Sequence, residues 1–393
     1  MASQPLPERY VQLGLRLGRH LDGLVDGYFG PPELKDAVDA EEPAEPDALQ
    51  EEATALLAEL ADWDDPDRQR RRWLTAQVEG LVCVAELVGG VEVPWREAVR
   101  RCYGIDVQPV PEEQFAAAHE LLDAALPGDG ELAERIRAWQ RSQEVPAELL
   151  VPALDALIEL LRSETEALVE LPDGERIDTE IVTGEPWSAY NWYLGDRKSH
   201  IQISTDFPIR SYFLAELVAH EGYPGHHTEH SCKEARLLGE LGRVEHSILL
   251  IHTPECLVSE GIAQVAIEQA LGDDWPGGAA AALRPLSIPF DADTARAVVH
   301  AYHHLDDLPV NVAYFVSEEG WSEEQAVAYQ QRWALSEEER ARKSVAFAMH
   351  PVWGIYVPTY AHGYRLVRSA ALPFRRLLTE PITTADLLDA RVA

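Results

Sequence analysis

Residues 217–230 read LVAHEGYPGHHTEH, and the organisation of the whole chain turns on what this stretch can fold into. Leu217 and Val218 continue an apolar helical spacing from Phe213, with His220 and Glu221 at its end. On an ideal helix His226 lies about 600° round and about 9 Å along from His220, while His227 faces the same way as His220 but about 10.5 Å off. Neither can share an ion with His220 while the helix stays regular. Pro224, however, clashes with the carbonyl four residues back, that of His220, and Gly222 and Gly225 permit distortion on either side. The stretch therefore predicts a break or bulge that draws a second histidine back towards the first.

A histidine and glutamate followed by a further histidine are the parts of the zincin helix H-E-x-x-H. There the two histidines share one zinc and the glutamate turns towards its water; here position i+4 is Pro224. HEGYPGHH resembles the histidine motif of the domain-of-unknown-function 885 family, which belongs with the gluzincin-type zinc metallopeptidases. It is similar to the HEFGH of thimet-type oligopeptidases with two residues inserted before the glycine. The resemblance covers residues 203–368 and implies Zn2+ held by His220 and His226, with Glu221 as general base. The third ligand in these families is a glutamate on a later helix, often followed by glycine, and Ser259-Glu260-Gly261 matches that pattern. Tyr360-Ala361-His362-Gly363 resembles the family's Tyr-x-x-Gly segment, which implies Tyr360 as an oxyanion donor.

The chemistry explains the residue types. Two neutral imidazoles and one carboxylate leave a coordination position for water and lower its pKa to about 7, for Glu221 to take the proton. Once the helix breaks, helical phase no longer favours His227, and the Gly-His match selects His226. That leaves His227, His350, His362 and Tyr356 as neighbours that could touch substrate or steady the ligands. Glu260 sits among Cys256, Leu257, Ala263, Gln264 and Ile267, where an unpaired carboxylate is costly to bury. Glu216, Glu229 and His230 read as solvated residues flanking the motif. His300, His303 and His304, with Asp306 and Asp307 behind them, read as a polar helix end, although their spacing would also suit a second metal.

Outward from this centre, residues 176–183, 189–194 and 200–205 are short runs rich in β-branched and aromatic residues, the last two separated by Gly195-Asp196-Arg197-Lys198. They predict a small antiparallel β-meander beside the active-site helices, with 200–205 as an edge able to pair with an extended peptide. Asp206 and Pro208 predict the start of the histidine helix, and Thr253-Pro254 opens another that runs to Leu271. Residues 1–170 read as all-helical: apolar spacing predicts helices over 8–25, 49–60, 68–88, 95–103, 112–125, 130–142 and 147–168. Residues 345–363 carry no Lys, Arg, Asp or Glu, but Pro351, Gly354 and Pro358 argue against a membrane span.

The 393 residues carry 33 basic against 68 acidic side chains, a net −35 that excludes nucleic acid and anionic membrane as expected partners. The first residues lack a signal-peptide pattern, so a cytoplasmic location is expected. Cys83, Cys102, Cys232 and Cys256 have no CxxC spacing and read as reduced thiols. The sequence-based expectation is a mainly α, zincin-like helical metallopeptidase fold. It is one catalytic unit over 1–393, with a helical part (1–170) and a metal-site part (171–393). It hydrolyses a peptide or small amide substrate. A hydrolase of non-peptide amides or esters and a non-catalytic zinc-containing binding protein are the alternatives.

Overall fold

Apolar residues at helical spacing dominate the chain, and in the computed structural model, which describes residues 4–185 and 187–391, helices accordingly dominate the fold. Helices Arg68–Val88, Trp95–Tyr103 and Glu112–Ala125 coincide with their apolar periodicities. The first of them is capped by Asp67, whose carboxylate accepts from the Gln69 and Arg70 amides.

The N-terminal part is not all-helical. The first helix, Leu6–Gly18, stops well before residue 25, and Gly23 takes a left-handed φ of 83°. Strand β1 (Val25–Tyr28) follows, and it pairs antiparallel with a much later strand at Ile248–Leu250. A four-residue strand inside an apolar run carries no periodicity of its own.

Strands β2 (Arg176–Val182), β3 (Ala189–Gly195) and β4 (Lys198–Ser204) form a sheet in the order β2-β4-β3. β3 and β4 are the expected antiparallel hairpin, but β2 pairs with β4 in parallel, so the sheet is mixed and not an antiparallel meander. A parallel pair needs a crossover, and here the crossover is β3 itself. After Val182 the chain re-enters the sheet beyond β4. Bonds from the Thr205 amide to the Val182 carbonyl (3.0 Å) and from the Ser204 amide to the Ser188 carbonyl (2.9 Å) fasten the ends on both sides. β4, expected as an edge, is therefore the central strand. The histidine helix begins at Ser211 and not at Asp206, whose carboxylate instead accepts from the Gly184 amide at 2.8 Å. This helix, Ser211–Glu221, packs Leu214 and Val218 with β4 residues Ile201 and Ile203 in one apolar cluster.

The helix Pro254–Leu271 belongs to both apolar clusters of the protein. Leu257, Ile262 and Val265 join the one containing Leu13 and Trp73; Ala266 and Ile267 join the one containing Leu154 and Leu214. Beside it runs Pro358–Ser369, and the two cross where Gly261 meets Gly363: a Cβ built on Gly261 would lie 2.5 Å from the Gly363 carbonyl oxygen. No side chain fits between backbones that close. The charge-free run 345–363 is divided among Glu338–Met349, Trp353–Tyr356 and Pro358–Ser369, and no described helix is long and apolar enough to cross a membrane.

Gly261→Ala should cost about 1–3 kcal/mol in urea unfolding, because the backbones must separate. Gly278→Ala is the control. Its Cβ would meet nothing nearer than Leu271 Cδ1 at 3.6 Å in a regular helix, so it should be neutral or stabilise by about 0.5–1 kcal/mol. Equal effects at the two glycines would refute the close-crossing argument.

Candidate metal centre

The helix Ser211–Glu221 breaks after Glu221, and a new helix, His226–Lys233, starts after four intervening residues. The break satisfies its own backbone. The Gly225 amide donates to the Ala219 carbonyl at 3.0 Å, and the Thr228 amide reaches the Gly222 carbonyl at 3.3 Å. Both glycines are sterically required, since a Cβ on Gly225 would collide with the His220 carbonyl and one on Gly222 would sit 2.7 Å from the Val218 carbonyl. The fold-back brings the His220 and His226 rings edge to face with centroids 4.8 Å apart.

The sheet clamps this break from one side. Asn191 Nδ2 on β3 donates to the Glu221 carbonyl at 2.6 Å, filling one of the acceptors a helix end leaves open. The hairpin turn is tied to the end of the second helix by Glu234. Its carboxylate accepts from the amides of Asp196 (2.9 Å) and Arg197 (3.0 Å), residues held at φ of 54° and 60°, and from the Tyr193 hydroxyl.

Glu260, in the middle of Pro254–Leu271 and 5% exposed, faces both histidines. Its oxygens lie 3.6 Å from His220 Nε2 and 3.4 Å from His226 Nε2, and one ligand atom from each of the three residues falls within 4.8 Å of the others. These separations are long for hydrogen bonds, which cluster near 2.9 Å. They match instead the ~3.4 Å edge of a tetrahedron of ligands about 2.1 Å from a zinc. Tyr356 donates to Glu260 Oε1, whereas buried Oε2 has no hydrogen-bond partner. Oε2, without a partner and 3.6 Å from His220 Nε2, in a carboxylate whose other oxygen is 3.4 Å from His226 Nε2, fits a cation, and a donor set of two imidazoles and one carboxylate fits zinc.

Burial pushes the Glu260 carboxyl up, but His226, His220 and Tyr356 outweigh it and hold it at about 2. Burial takes His220 down to about 4, whereas at His226 the Glu260 carboxylate overcomes burial and holds the imidazole at about 9. Glu221, 7% exposed, is pushed up to about 7 by burial, against the His226 charge and with Glu260 and Asp26 adding to the rise. Tyr360 stacks edge to face on Tyr356 at 5.3 Å, on the Pro358–Ser369 helix.

Other residues expected near the site lie elsewhere. His227 is fully buried and turns to the sheet. Its Nδ1 meets Ser199 Oγ at 2.8 Å and its Nε2 meets Glu175 at 2.9 Å, so it faces neither the ligand group nor the cleft. The His350 Nδ1 accepts from the Val352 and Trp353 amides, starting a short helix. His362 is on the part of its helix near Asp307 and Arg365. His303 pairs with Asp306 at 3.1 Å and stacks on Tyr364, and among the described residues only His220, His226 and Glu260 form a metal-sized group.

Glu229 is a correction: it is not solvated but fully buried, held by Lys233 Nζ at 2.7 Å and by the Ser259 hydroxyl at 2.5 Å, which also meets His226 Nδ1 at 3.1 Å. Ser259, Glu229, Lys233, Asn191 and the Asp26–Tyr190 pair beside the site had no distinguishing signal in sequence. The only hint was the spacing of His226, Glu229 and Lys233 along one face of a helix.

No family model and no curated protein matches the chain. Two solved structures share its fold. One is a "putative lipoprotein" of Colwellia psychrerythraea, 14% identical with a TM-score of 0.53, matching 86% of this chain. The chain spans 65% of that protein's length. The other is a "putative lipoprotein of unknown function" of Shewanella oneidensis, 13% identical with a TM-score of 0.50, covering 98% of this chain and 82% of that one.

Glu175 fastens the sheet-facing side of the break. Burial raises its carboxyl, but hydrogen bonds from His227, Tyr223 and Arg162 outweigh that and hold it at about 2, from an ordinary 4.5. A folded value below the unfolded one stabilises fully above about pH 5, and the contribution, of order 3 kcal/mol, is lost as pH falls towards 2. Glu175→Gln should therefore flatten the acid limb of the stability profile in that window. A limb parallel to that of the wild type would show that another group carries the acid loss.

Proposed function

We propose that the protein is a zinc-dependent hydrolase of peptide-like amide bonds. The observation that carries this reading is the convergence of both imidazoles on the buried Glu260 carboxylate, His220 Nε2 3.6 Å from the partnerless Oε2 and His226 Nε2 3.4 Å from Oε1. Zinc, when bound there, supplies Lewis acidity and lowers the pKa of water to about 7. The chain's own groups do the rest. Glu221, next to the first ligand and close enough to feel the His226 and Glu260 charges, takes a proton from the attacking water and returns it to the leaving amine. Tyr356 orients Glu260 through its hydroxyl, and Tyr360 beside it donates to the oxyanion.

The extended substrate lies along β3. β4 is enclosed between β2 and β3, whereas β3 is an edge strand whose Asn191 touches the Glu221 carbonyl, so a paired backbone would be carried to the general base. The exposed Trp192 and Leu194 on this strand supply apolar contacts for alternate side chains.

Metal analysis of the purified protein should find one zinc per chain, and a peptide-library digest should show cleavage that a chelator abolishes. Glu260→Gln should lose the metal, and Glu221→Gln should keep it and lose turnover. A Glu221→Gln protein that still cleaves would refute the assignment of the base, and a metal-free wild type would refute the whole reading.

Tyr360→Phe should lower kcat by about 10²-fold with zinc retained, because an oxyanion hydrogen bond forms mainly in the transition state. A change confined to KM would place Tyr360 in substrate positioning.

A further inference from the structure

Behind His226 runs a chain of donors and acceptors that has only one consistent direction. Lys233, 5% exposed, places its Nζ 2.7 Å from Glu229 Oε1 and 3.1 Å from Glu255 Oε1. An ammonium has only hydrogens to give, so the fully buried Glu229 meets it as a carboxylate and has only lone pairs for its other neighbour. That neighbour is Ser259, whose hydroxyl oxygen is 2.5 Å from Glu229 Oε2. Ser259 has a single hydrogen and must direct it to Glu229, which leaves only its lone pairs for His226 Nδ1 at 3.1 Å. Nδ1 must therefore carry the hydrogen of that contact. In the neutral ring that a metal binds, the lone pair then falls on Nε2, on the other side of the ring and 3.4 Å from Glu260.

We propose that Ser259 is a positioning residue: held by the buried Glu229–Lys233 pair, it fixes His226 as the Nδ1–H form with Nε2 presented to the metal. This rests on the zinc reading above. The arrangement interposes a hydroxyl between the imidazole and its supporting carboxylate. It also makes His226 a ligand whose orientation is set before the ion arrives, because Ser259 and Glu260 are neighbours on one helix while Glu229 and Lys233 share the helix of His226. The two helices are thus bonded to each other through the ligand they build.

The test uses the full chain, labelled with 15N-histidine and loaded with zinc. In the wild type, His226 should show a hydrogen-bonded, slowly exchanging Nδ1–H and metal at Nε2. Ser259→Ala should lose that protection and weaken zinc binding by about 10- to 100-fold in competition with a chelator, with the helical circular dichroism unchanged. A wild-type His226 bound through Nδ1 would overturn the proposal without any variant. A folded Ser259→Ala protein that binds zinc as tightly as the wild type, or keeps the protected proton, would overturn it as well. Failure of the wild type to take up zinc would bring down the metal reading together with it, so the two failures are told apart.

Discussion

A carboxylate in the middle of an apolar helix is the constraint around which the protein is arranged. Glu260 shares its helix with Leu257, Ile262 and Val265, all buried, and an isolated charge in such surroundings would give up its proton affinity balance or unfold the site. It is kept ionised because two imidazoles and a phenol converge on it from three other segments. Each of those segments requires its own local device. The histidines need a helix that stops and restarts, and the phenol needs the short helix Trp353–Tyr356 that leads into the one pressed against that of Glu260.

The broken helix is unstable by itself, since eight residues of mostly polar sequence, His226–Lys233, bury most of their side chains and cannot hold a helix by propensity. Its stability is borrowed from both sides. The sheet supplies Asn191, Ser199 and the hairpin amides that meet Glu234; the Pro254–Leu271 helix supplies Ser259 and Glu255. One of the chain's four lysines stands in this interior, where it compensates two carboxylates at once. An acidic protein with few lysines has placed one where a fixed positive charge is structurally required.

How much of this was legible depended on whether the signal was local. The helices Arg68–Val88 and Trp95–Tyr103 and the opening at Pro254 follow from periodicity, capping and proline at the first turn, all of which are written in neighbouring residues. The glycines and proline of HEGYPGHH likewise foretell a break at the place where the helix stops. Strand order was not legible, because alternation says which face a residue takes and nothing about which strand lies beside it; β2 next to β4 follows from Val182, Ser188, Ser204 and Thr205 bonding after the chain has crossed. Glu229 was misread for the same reason. Its polarity and spacing, Lys233 four residues on included, are those of a wet helical face, and the partner that shows it to be an interior group, Ser259, lies thirty residues away.

The crossing at Gly261 and Gly363 has a consequence for descent. Each glycine is small because the other is near, so the pair behaves as one inherited character distributed over two distant places in the gene. Glu260 is the immediate neighbour of one member, and Tyr360 lies a single helical turn from the other. A lineage that widened the contact at either glycine would move Glu260 and Tyr360 apart together, so drift at these positions is coupled to the candidate metal centre without either glycine touching it.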